Sequence, residues 1–423
     1  MAITQPAPGE LLERNTALVQ SMPANPVVEC RADPWVINEG EMCYFTASYP
    51  DFDKIVIRGA ATIDDLRDAP EVVVWTRPTV GDMGGNIWAP ELHRLNGRWY
   101  VYYTAGHADK PFRIRMYVIE GIGDDPRTAQ WSQPRRIHST WDEFSLDGTV
   151  FQHQGELYYV WAQRPLQPEE TPEEQVINSD LYIARMTDPF TLGSEPVLLT
   201  TPELPWEIIG YRVNEGAAVI VRHGRVFITY SASATDHNYC MGLLWADANA
   251  DLLDPQSWHK AQEPVFTSHD ATSSYGPGHN SFTIDAQGND VMVYHARSYR
   301  DIDGNPLFDP NRHARVQHVY WDANGFPQFG VPVGDGVVPV RCVGPSGTVL
   351  SAAPQGGGQP SLAPLMVEES LSDAATIAST QFRVVHSDDV RIVLEPLEHA
   401  GVHLDTTWSE IDALLGGGAR FTP

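Results

Sequence analysis

Lysine is nearly absent from this chain of 423 residues. Only Lys54, Lys110 and Lys260 occur, and Lys and Arg together number 28 against 55 Asp and Glu, so the formal net charge is −27 at pH 7. A surface of that sign repels phosphate backbones and anionic lipids. The sequence therefore predicts no nucleic-acid partner and no membrane partner, whereas neutral ligands are compatible with the charge.

Cysteine and long apolar runs are also scarce. The four cysteines, Cys30, Cys43, Cys240 and Cys342, show no CxxC spacing, which favours buried free thiols over a metal or redox site. No stretch approaches the roughly 18 uncharged apolar residues of a membrane span. Residues 1–26 contain no basic segment followed by an apolar run. No secretory signal is recognised there, and a cytoplasmic location is predicted.

One hairpin pattern recurs along the chain. Each copy has an apolar strand, a tight polar turn and an aromatic-rich strand, and the turn glycines are Gly40, Gly97, Gly155, Gly224 and Gly288. Successive turn glycines are 57, 58, 69 and 64 residues apart. Glycine suits the positive φ of hairpin tips, and the alternation on either side is typical of strands.

Each hairpin is followed by a further strand-like run, which indicates at least three strands in every unit. Successive small antiparallel sheets of this kind predict an all-β fold, a five-bladed β-propeller over residues 27–335. A helical solenoid would need a 3.6-residue apolar period, and a two-sheet sandwich would not explain a fivefold repeat. Residues 1–26 are predicted to be an N-terminal extension with a short helix at GELLERNTALVQSM, and residues 336–423 a small β-rich C-terminal appendage.

Ionisable residues stand shortly before the turn glycines. Asp33, Glu91, Asp147, Glu215 and His279 lie six to nine residues upstream, one in each unit. Because the innermost strand of every blade lines the axis of a propeller, these side chains are expected to converge. Acidic groups near a packed axis are costly unless they are paired or functional.

Such a ring contains the parts that glycoside hydrolysis requires. That reaction needs two carboxyl groups across the scissile bond, one protonated and one ionised. A third carboxylate beside the acid raises its pKa, because like charges disfavour ionisation. Metal-dependent hydrolysis is disfavoured, since compact ligand motifs such as HExxH do not occur in the sequence.

The motifs around these residues resemble glycoside hydrolase family 43. They read RADPW, NIWAPELHRLNGRWYVYYTAG, FSLDGTVFQHQGELYYVWAQ, VNEGAAVIVRHGRVFITYSAS and YGPGHNSFTIDAQGNDVMVYHARS. The segments DFDKIVIRGA, WEIIGYRVNEG and DPNRHARVQHVYWDANGFPQFG are most similar to the intracellular-type α-L-arabinofuranosidases of that family. The resemblance covers all five units.

The resemblance implies an inverting mechanism that needs no cofactor for the chemistry. Asp33 would be the general base that activates water, and Glu215 the general acid that protonates the leaving oxygen. Asp147 would raise the pKa of Glu215 and orient the substrate. For inversion the base and acid are expected to lie about 6.5–9.5 Å apart. His279 matches the position where family members hold a structural calcium ion, with a hydrogen-bonded core histidine as the alternative.

Further residues are predicted to bind the sugar. Arg312, nine residues before Trp321, has the spacing of the last-blade arginine of the family, with Arg315 or a surface ion pair as alternatives. Trp88 is interpreted as a wall of the sugar pocket or as core, and Glu91 as a structural residue. The candidates for the pocket rim are Asn86, Trp206, Tyr211 and Phe45.

The C-terminal appendage contains an internal repeat. VPVRCVGPSGTVLS resembles DVRIVLEPLEHAGVHLD, and STQFRVV resembles GARFTP. The two copies are similar to units of the arabinose-binding β-trefoil module, a fold that has three units. An all-β appendage that packs on the propeller or forms a subunit interface is the alternative.

The resemblance implies an exo-acting hydrolase that releases terminal α-L-arabinofuranosyl residues from arabino-oligosaccharides or arabinoxylan fragments, both neutral substrates. β-Xylosidases and endo-arabinanases of the same family share the three carboxylates, so the motifs leave those activities open. They also leave the linkage open. A non-catalytic sugar-binding propeller is expected to lack one of the three, and all three are present.

Overall fold

The computed structural model describes residues 23–270, 272–286, 288–322 and 324–336, with seven shorter stretches: 341–343, 348–354, 360–366, 382–387, 391–396, 404–415 and 420–422. The predicted N-terminal helix lies outside the described residues. Small antiparallel sheets follow one another in chain order from Ala32 to Gln328. The protein is a five-bladed β-propeller, so the predicted fold class is confirmed.

Strands are numbered β1 to β30 along the chain. Blade one contains β1 (Ala32–Glu39), β2 (Met42–Ser48), β3 (Lys54–Ala60) and β4 (Val72–Thr76). Blade two contains β5 (Ile87–Leu95), β6 (Arg98–His107) and β7 (Lys110–Ile122), with β8 (Gln130–Trp131) and β9 (Arg135–Arg136). Blade three contains β10 (Ser145–His153), β11 (Glu156–Gln163) and β12 (Asp180–Asp188), with β13 (Thr191–Leu192) and β14 (Val197–Thr200).

Blade four contains β15 (Asn214–Arg222), β16 (Arg225–Ala232), β17 (Cys240–Asp247) and β18 (His259–Lys260). Blade five contains β19 (Tyr275–Ile284), β20 (Asp290–Arg297) and β21 (His313–His318), followed by the hairpin β22 (Tyr320–Trp321) and β23 (Pro327–Gln328). Short 3₁₀ helices span Asp64–Arg67, Glu173–Gln175, Pro205–Glu207, Pro255–Ser257 and Pro306–Phe308. The predicted turn glycines all sit at hairpin tips with φ between 62° and 85°.

The ring of blades is closed by residues just before β1. The backbone N–H groups of Val27 and Val28 donate to Ala314 O at 2.8 and 3.3 Å, and Ala314 N–H donates back to Val28 O at 2.8 Å. The Asn25 side chain bonds both backbone groups of Val316 at 2.9 Å. This segment covers the outer edge of β21, which would otherwise expose unpaired backbone groups. The predicted boundary after residue 26 therefore cuts through a segment that pairs with blade five.

The core of the propeller consists of wedges between neighbouring blades. Separate clusters of buried apolar residues join blades one and two, two and three, three and four, four and five, and five and one. Trp99, Trp161 and Trp321 are among the largest fully buried side chains. Each blade thus buries both faces of its sheet, which explains why the strands are apolar on both faces near the axis.

The structure describes the thiols of three of the four cysteines. Cys30, Cys43 and Cys240 are free thiols, and the last two are buried; the side chain of Cys342 lies outside the described residues. Within the described ranges, no helix is long and apolar enough to cross a membrane.

The C-terminal appendage has two antiparallel sheets. The first contains β24 (Arg341–Val343), β25 (Thr348–Pro354), β26 (Pro360–Met366) and β30 (Arg420–Thr422), and the second β27 (Phe382–Ser387), β28 (Arg391–Pro396) and β29 (Leu404–Thr407). One helix, α1 (Trp408–Leu414), follows β29.

Both sheets of the appendage and α1 contribute to one core. The buried members of that core are Leu350, Phe382, Leu394, Ile411 and Leu415. Each sheet combines strands of both sequence copies: β30, with the Phe motif of the second copy, pairs with β24 of the first copy, and β27, with the Phe motif of the first copy, pairs with β28 of the second. The described residues of the appendage form two sheets around one core, and the trefoil-like interpretation of the repeat stays a prediction.

Candidate active site

A β-bulge interrupts the innermost strand of every blade at the same place. The register shifts fall between Ala32 and Trp35, Trp88 and Glu91, Leu146 and Thr149, Glu215 and Ala218, and Gly278 and Ser281. The first bulged residue has a positive φ in each: Asp33 (55°), Ala89 (44°), Asp147 (53°), Gly216 (59°) and His279 (43°). Left-handed backbone at a bulge re-aims the side chain, a device that is common beside active sites.

Two of the predicted ring members lie outside this register. Glu215 is the residue before the bulge of its blade, and Glu91 comes two positions after the bulged Ala89. Glu91 is buried and pairs with His93 Nε2 at 2.9 Å. The structure brings Glu91 to His93 and does not place it among the residues that line the cavity described next.

A cavity of about 380 Å³ collects the other four ring members. Asp33, Asp147, Glu215 and His279 all line it. Its volume falls in the range of about 300–1,000 Å³ that is typical of small-molecule sites. The cavity therefore has the size of a pocket for a small sugar and contains three carboxyl groups and an imidazole.

Asp33 is held as an ionised carboxylate. The Ser48 hydroxyl donates to Asp33 Oδ2 at 2.5 Å, while His279 Nδ1 lies 3.2 Å and Arg312 Nη1 3.6 Å from Oδ1. Burial alone would raise the pKa of Asp33, but the charges of His279 and Arg312 hold it well below its usual range. An ionised, hydrogen-bonded carboxylate can accept a proton from a neighbouring water.

Glu215 and Asp147 have the opposite tendency. Burial raises the pKa of Glu215, against the effects of His279 and of the Tyr239 hydroxyl, which donates to Glu215 Oε1 at 2.9 Å. Burial also raises the pKa of Asp147 to about 8; His279 opposes this shift, and the charge of Glu215 adds to it. Asp147 Oδ2 is anchored by the Gly216 N–H at 3.1 Å. This pair of carboxyl groups retains a proton near neutral pH, and Glu215 can donate it.

Comparison with known proteins identifies the family of this fold and site. The sequence profile described as "Glycosyl hydrolases family 43" matches residues 23–327. The chain belongs to glycosyl hydrolases family 43. This confirms the resemblance noted in the sequence and makes the protein a glycoside hydrolase.

Relatives of this family 43 hydrolase have related names. "Alpha-L-arabinofuranosidase 43" of Humicola insolens is 47% identical over 363 residues, which are 85% of this chain and 73% of the relative. "Extracellular exo-alpha-(1->5)-L-arabinofuranosidase" of Streptomyces avermitilis is 49% identical over 319 residues, 75% of this chain, so the match spans only 65% of that relative. The crystal structure of an α-L-arabinofuranosidase from Lactobacillus brevis has a TM-score of 0.70 and 45% identity, and it covers 74% of this chain and 98% of its own.

The predicted cytoplasmic location is wrong. The Streptomyces avermitilis relative, at 49% identity, is named as an extracellular enzyme. The prediction rested on the lack of a recognised secretory signal in residues 1–26 and on the scattered cysteines.

His279 serves the family 43 site as a counter-charge. Its Nδ1 lies 3.2 Å from Asp33 Oδ1 and 3.9 Å from Asp147 Oδ2. Burial opposes protonation, but these carboxylates raise the pKa of His279 to about 10. The described residues include no group of three or more His, Cys, Asp or Glu placed to hold a metal ion. The calcium ion near His279 stays a prediction.

Three further predicted residues lie at the cavity. Trp88 lines it and packs edge-on against Phe112, at a ring distance of 6.0 Å. Arg312 lines it and is 6% exposed. Arg315 instead bonds backbone oxygens in the core, among them Val333 O at 3.1 Å. Tyr211 is 58% exposed at the mouth. The structure thus brings Arg312, and not its alternative, to the site.

The other three rim candidates lie elsewhere. Phe45 is fully buried in the wedge between blades five and one, because it faces inward from β2. Trp206 stacks on Tyr230 at 6.2 Å within blade four. The Asn86 amide lies 3.5 Å from Pro111 O and is outside the cavity lining. The prediction of a rim role does not hold for Phe45, Trp206 or Asn86.

Sequence reasoning missed several residues that contact the carboxylates, chiefly Tyr239, Ser48 and His295. The Asp33 N–H donates to His295 Nδ1 at 3.1 Å. Ser48 and His295 follow the turn glycine of their own hairpins by eight and seven residues. Counting downstream as well as upstream of the glycines would have found these two, but Tyr239 lies outside any such spacing.

Proposed function

We propose that this protein is an exo-acting α-L-arabinofuranosidase that hydrolyses terminal α-L-arabinofuranosyl units with inversion. The observation that carries the proposal is the opposite perturbation of two carboxyl groups in one cavity, with the pKa of Asp33 lowered and that of Glu215 raised. Such a pair separates the roles of base and acid. The names of the relatives support the choice of sugar and of exo action.

In the proposed reaction Glu215 donates its proton to the glycosidic oxygen as that bond breaks. Asp33 takes a proton from the water that attacks the anomeric carbon from the opposite face. Asp147 and Glu215 repel each other as carboxylates, so the two do not readily ionise together and one proton stays on the pair. The chemistry uses protein carboxyl groups and water, so it needs no cofactor.

The remaining lining suits a neutral sugar. Trp88 Nε1 and Arg312 Nε are buried and have no hydrogen-bond partner among the described residues, so sugar hydroxyls can satisfy them. The indole and Phe112 offer apolar faces to sugar C–H groups. All lining residues fall between Asp33 and Arg312, and we therefore assign catalysis to the propeller and none of it to residues 336–423.

A comparison of substrates tests the activity. We expect arabinose release from aryl α-L-arabinofuranoside and from linkage-defined arabino-oligosaccharides, measured by chromatography, and no xylose release from the matching β-xyloside. Cleavage in the middle of a long arabinan would instead show endo action. Proton NMR of the first product formed should show an inverted anomeric configuration, and a retained configuration would overturn the proposed mechanism.

The Tyr239→Phe variant tests the acid. The hydroxyl of Tyr239 stabilises the ionised form of Glu215, so its removal raises the pKa of Glu215. The acid then stays protonated to higher pH, and the alkaline limb of the kcat/KM profile should move upward. Tyr103→Phe is the control, since the hydroxyl of Tyr103 donates to Met83 Sδ at 3.8 Å and Tyr103 does not line the cavity. An unmoved limb in Tyr239→Phe would show that Glu215 is not the titrating acid.

A further inference from the structure

In each of the five blades, one residue of the second strand pairs with the inner strand directly before its bulge. This residue pairs with the residue that precedes the bulge of its own blade: Ser48 with Ala32, Thr104 with Trp88, Ala162 with Leu146, Ser231 with Glu215, and His295 with Gly278. We name this set the second-strand ring. Ser48, Ser231 and His295 reach the backbone of the first bulged residue in the next blade.

Three members of the second-strand ring accept the N–H of the bulged residue in the next blade. The bonds are Ala89 N to Ser48 Oγ (2.8 Å), His279 N to Ser231 Oγ (2.7 Å) and Asp33 N to His295 Nδ1 (3.1 Å). A bulge removes its residue from the ladder of its own sheet, so its N–H needs another acceptor. The ring supplies that acceptor from the neighbouring blade.

The two remaining positions differ. The methyl side chain of Ala162 cannot accept a hydrogen bond. The N–H of Gly216, the bulged residue of blade four, donates instead to the carboxylate of Asp147 at 3.1 Å. Thr104 Oγ1 has no hydrogen-bond partner among the described residues. The members of the second-strand ring therefore do not all make the same bond. Asp33 is bonded by two of them, His295 at its N–H and Ser48 at its carboxylate.

We infer that Ser48 and His295 are positioning residues for Asp33. His295 holds the backbone of Asp33, and Ser48 holds its carboxylate. The inference rests on the proposed role of Asp33 as the base. Ser48 donates its hydroxyl hydrogen to Asp33 Oδ2 at 2.5 Å while it accepts Ala89 N–H at 2.8 Å. Both ends of the hydroxyl are bonded, and with His279 Nδ1 at 3.2 Å from Oδ1 each oxygen of the Asp33 carboxylate has a partner.

His295 fixes the left-handed backbone of Asp33. Nδ1 accepts the Asp33 N–H, which requires a neutral ring with its proton on Nε2. The ring is fully buried, and burial lowers its pKa well below the usual value. It also stacks on Tyr239, with ring centroids 5.6 Å apart and planes at 9°. Since Tyr239 bonds Glu215, this stack connects the position of the base with that of the acid.

Paired variants test the inference. Ser48→Ala and His295→Leu remove the two contacts and should lower kcat about tenfold to hundredfold, with KM changed less than about twofold, because a displaced base slows the reaction without weakening binding. His295→Asn keeps an acceptor near the place of Nδ1 and should recover most of the loss. Thr104→Val, at the same register position in blade two, should retain wild-type kcat. Thermal unfolding is measured for every variant.

A double-mutant cycle separates positioning from general structural damage. In an Asp33→Asn background, Ser48→Ala should produce little further loss, since the group that it positions is already inactive. Equal losses in both backgrounds, or equal kcat in Ser48→Ala, His295→Leu and Thr104→Val, would overturn the inference. If Asp33→Asn itself retains activity, the proposed base assignment fails instead. Where His295→Leu does not fold, the Ser48→Ala cycle decides alone.

Discussion

Asp33→Asn should lower kcat about a thousandfold or more and leave KM nearly unchanged. The amide has the shape of the carboxylate and can still accept the Ser48 hydroxyl hydrogen, so the pocket keeps its form. It cannot take a proton from water, and general-base assistance contributes about 10² to 10⁴ in rate. Steady-state hydrolysis of an arabino-oligosaccharide measures this. The loss should persist with an activated aryl substrate, because water attack is still required.

A matched control distinguishes this loss from a change in surface charge. Asp51 is exposed in the turn after β2, and Asp51→Asn removes one carboxylate from the same blade. We expect wild-type kinetics from it. Hydrolysis by Asp33→Asn within about tenfold of wild type would exclude Asp33 as the base, since that factor is smaller than general-base catalysis supplies.

Glu215→Gln should give a loss that depends on the leaving group. With an arabino-oligosaccharide, kcat should fall about a thousandfold, because a sugar alkoxide leaves poorly without a proton. With a dinitrophenyl α-L-arabinofuranoside, whose leaving group is stable as an anion, the loss should shrink to about tenfold. The alkaline limb of the pH profile should also disappear, because that limb reports the loss of the proton that Glu215 donates and Gln has no such proton.

The dependence on the leaving group is the decisive measurement. A variant that is merely misfolded loses activity equally on both substrates, whereas loss of the acid affects the unactivated substrate far more. Glu263→Gln removes an exposed glutamate from blade four and should leave both rates unchanged. Equal losses on the two substrates in Glu215→Gln would assign the acid to another residue.

Asp33 and Glu215, whose variants should have the largest effects, occupy different positions relative to the bulges of their inner strands. Asp33 is a bulged residue with a positive φ, and Glu215 precedes the bulge of its blade. Upstream counting from the turn glycines found both, because the inner strands have similar lengths. It also included Glu91, whose side chain pairs with His93 instead. A count of residues cannot tell which side of a strand a side chain leaves when a bulge shifts the alternation.

The sequence alone determined the repeat, and through it the propeller, because hairpin turns and strand alternation are local properties of the chain. Its motifs also located the three carboxylates. Only the tertiary structure decided which side chains meet. Asn25 closes blade five, His295 of that blade holds Asp33, and Tyr239 holds Glu215. The first and second of these contacts join residues 291 and 262 positions apart. Contacts of that kind arise from the closure of the ring, which no local pattern encodes.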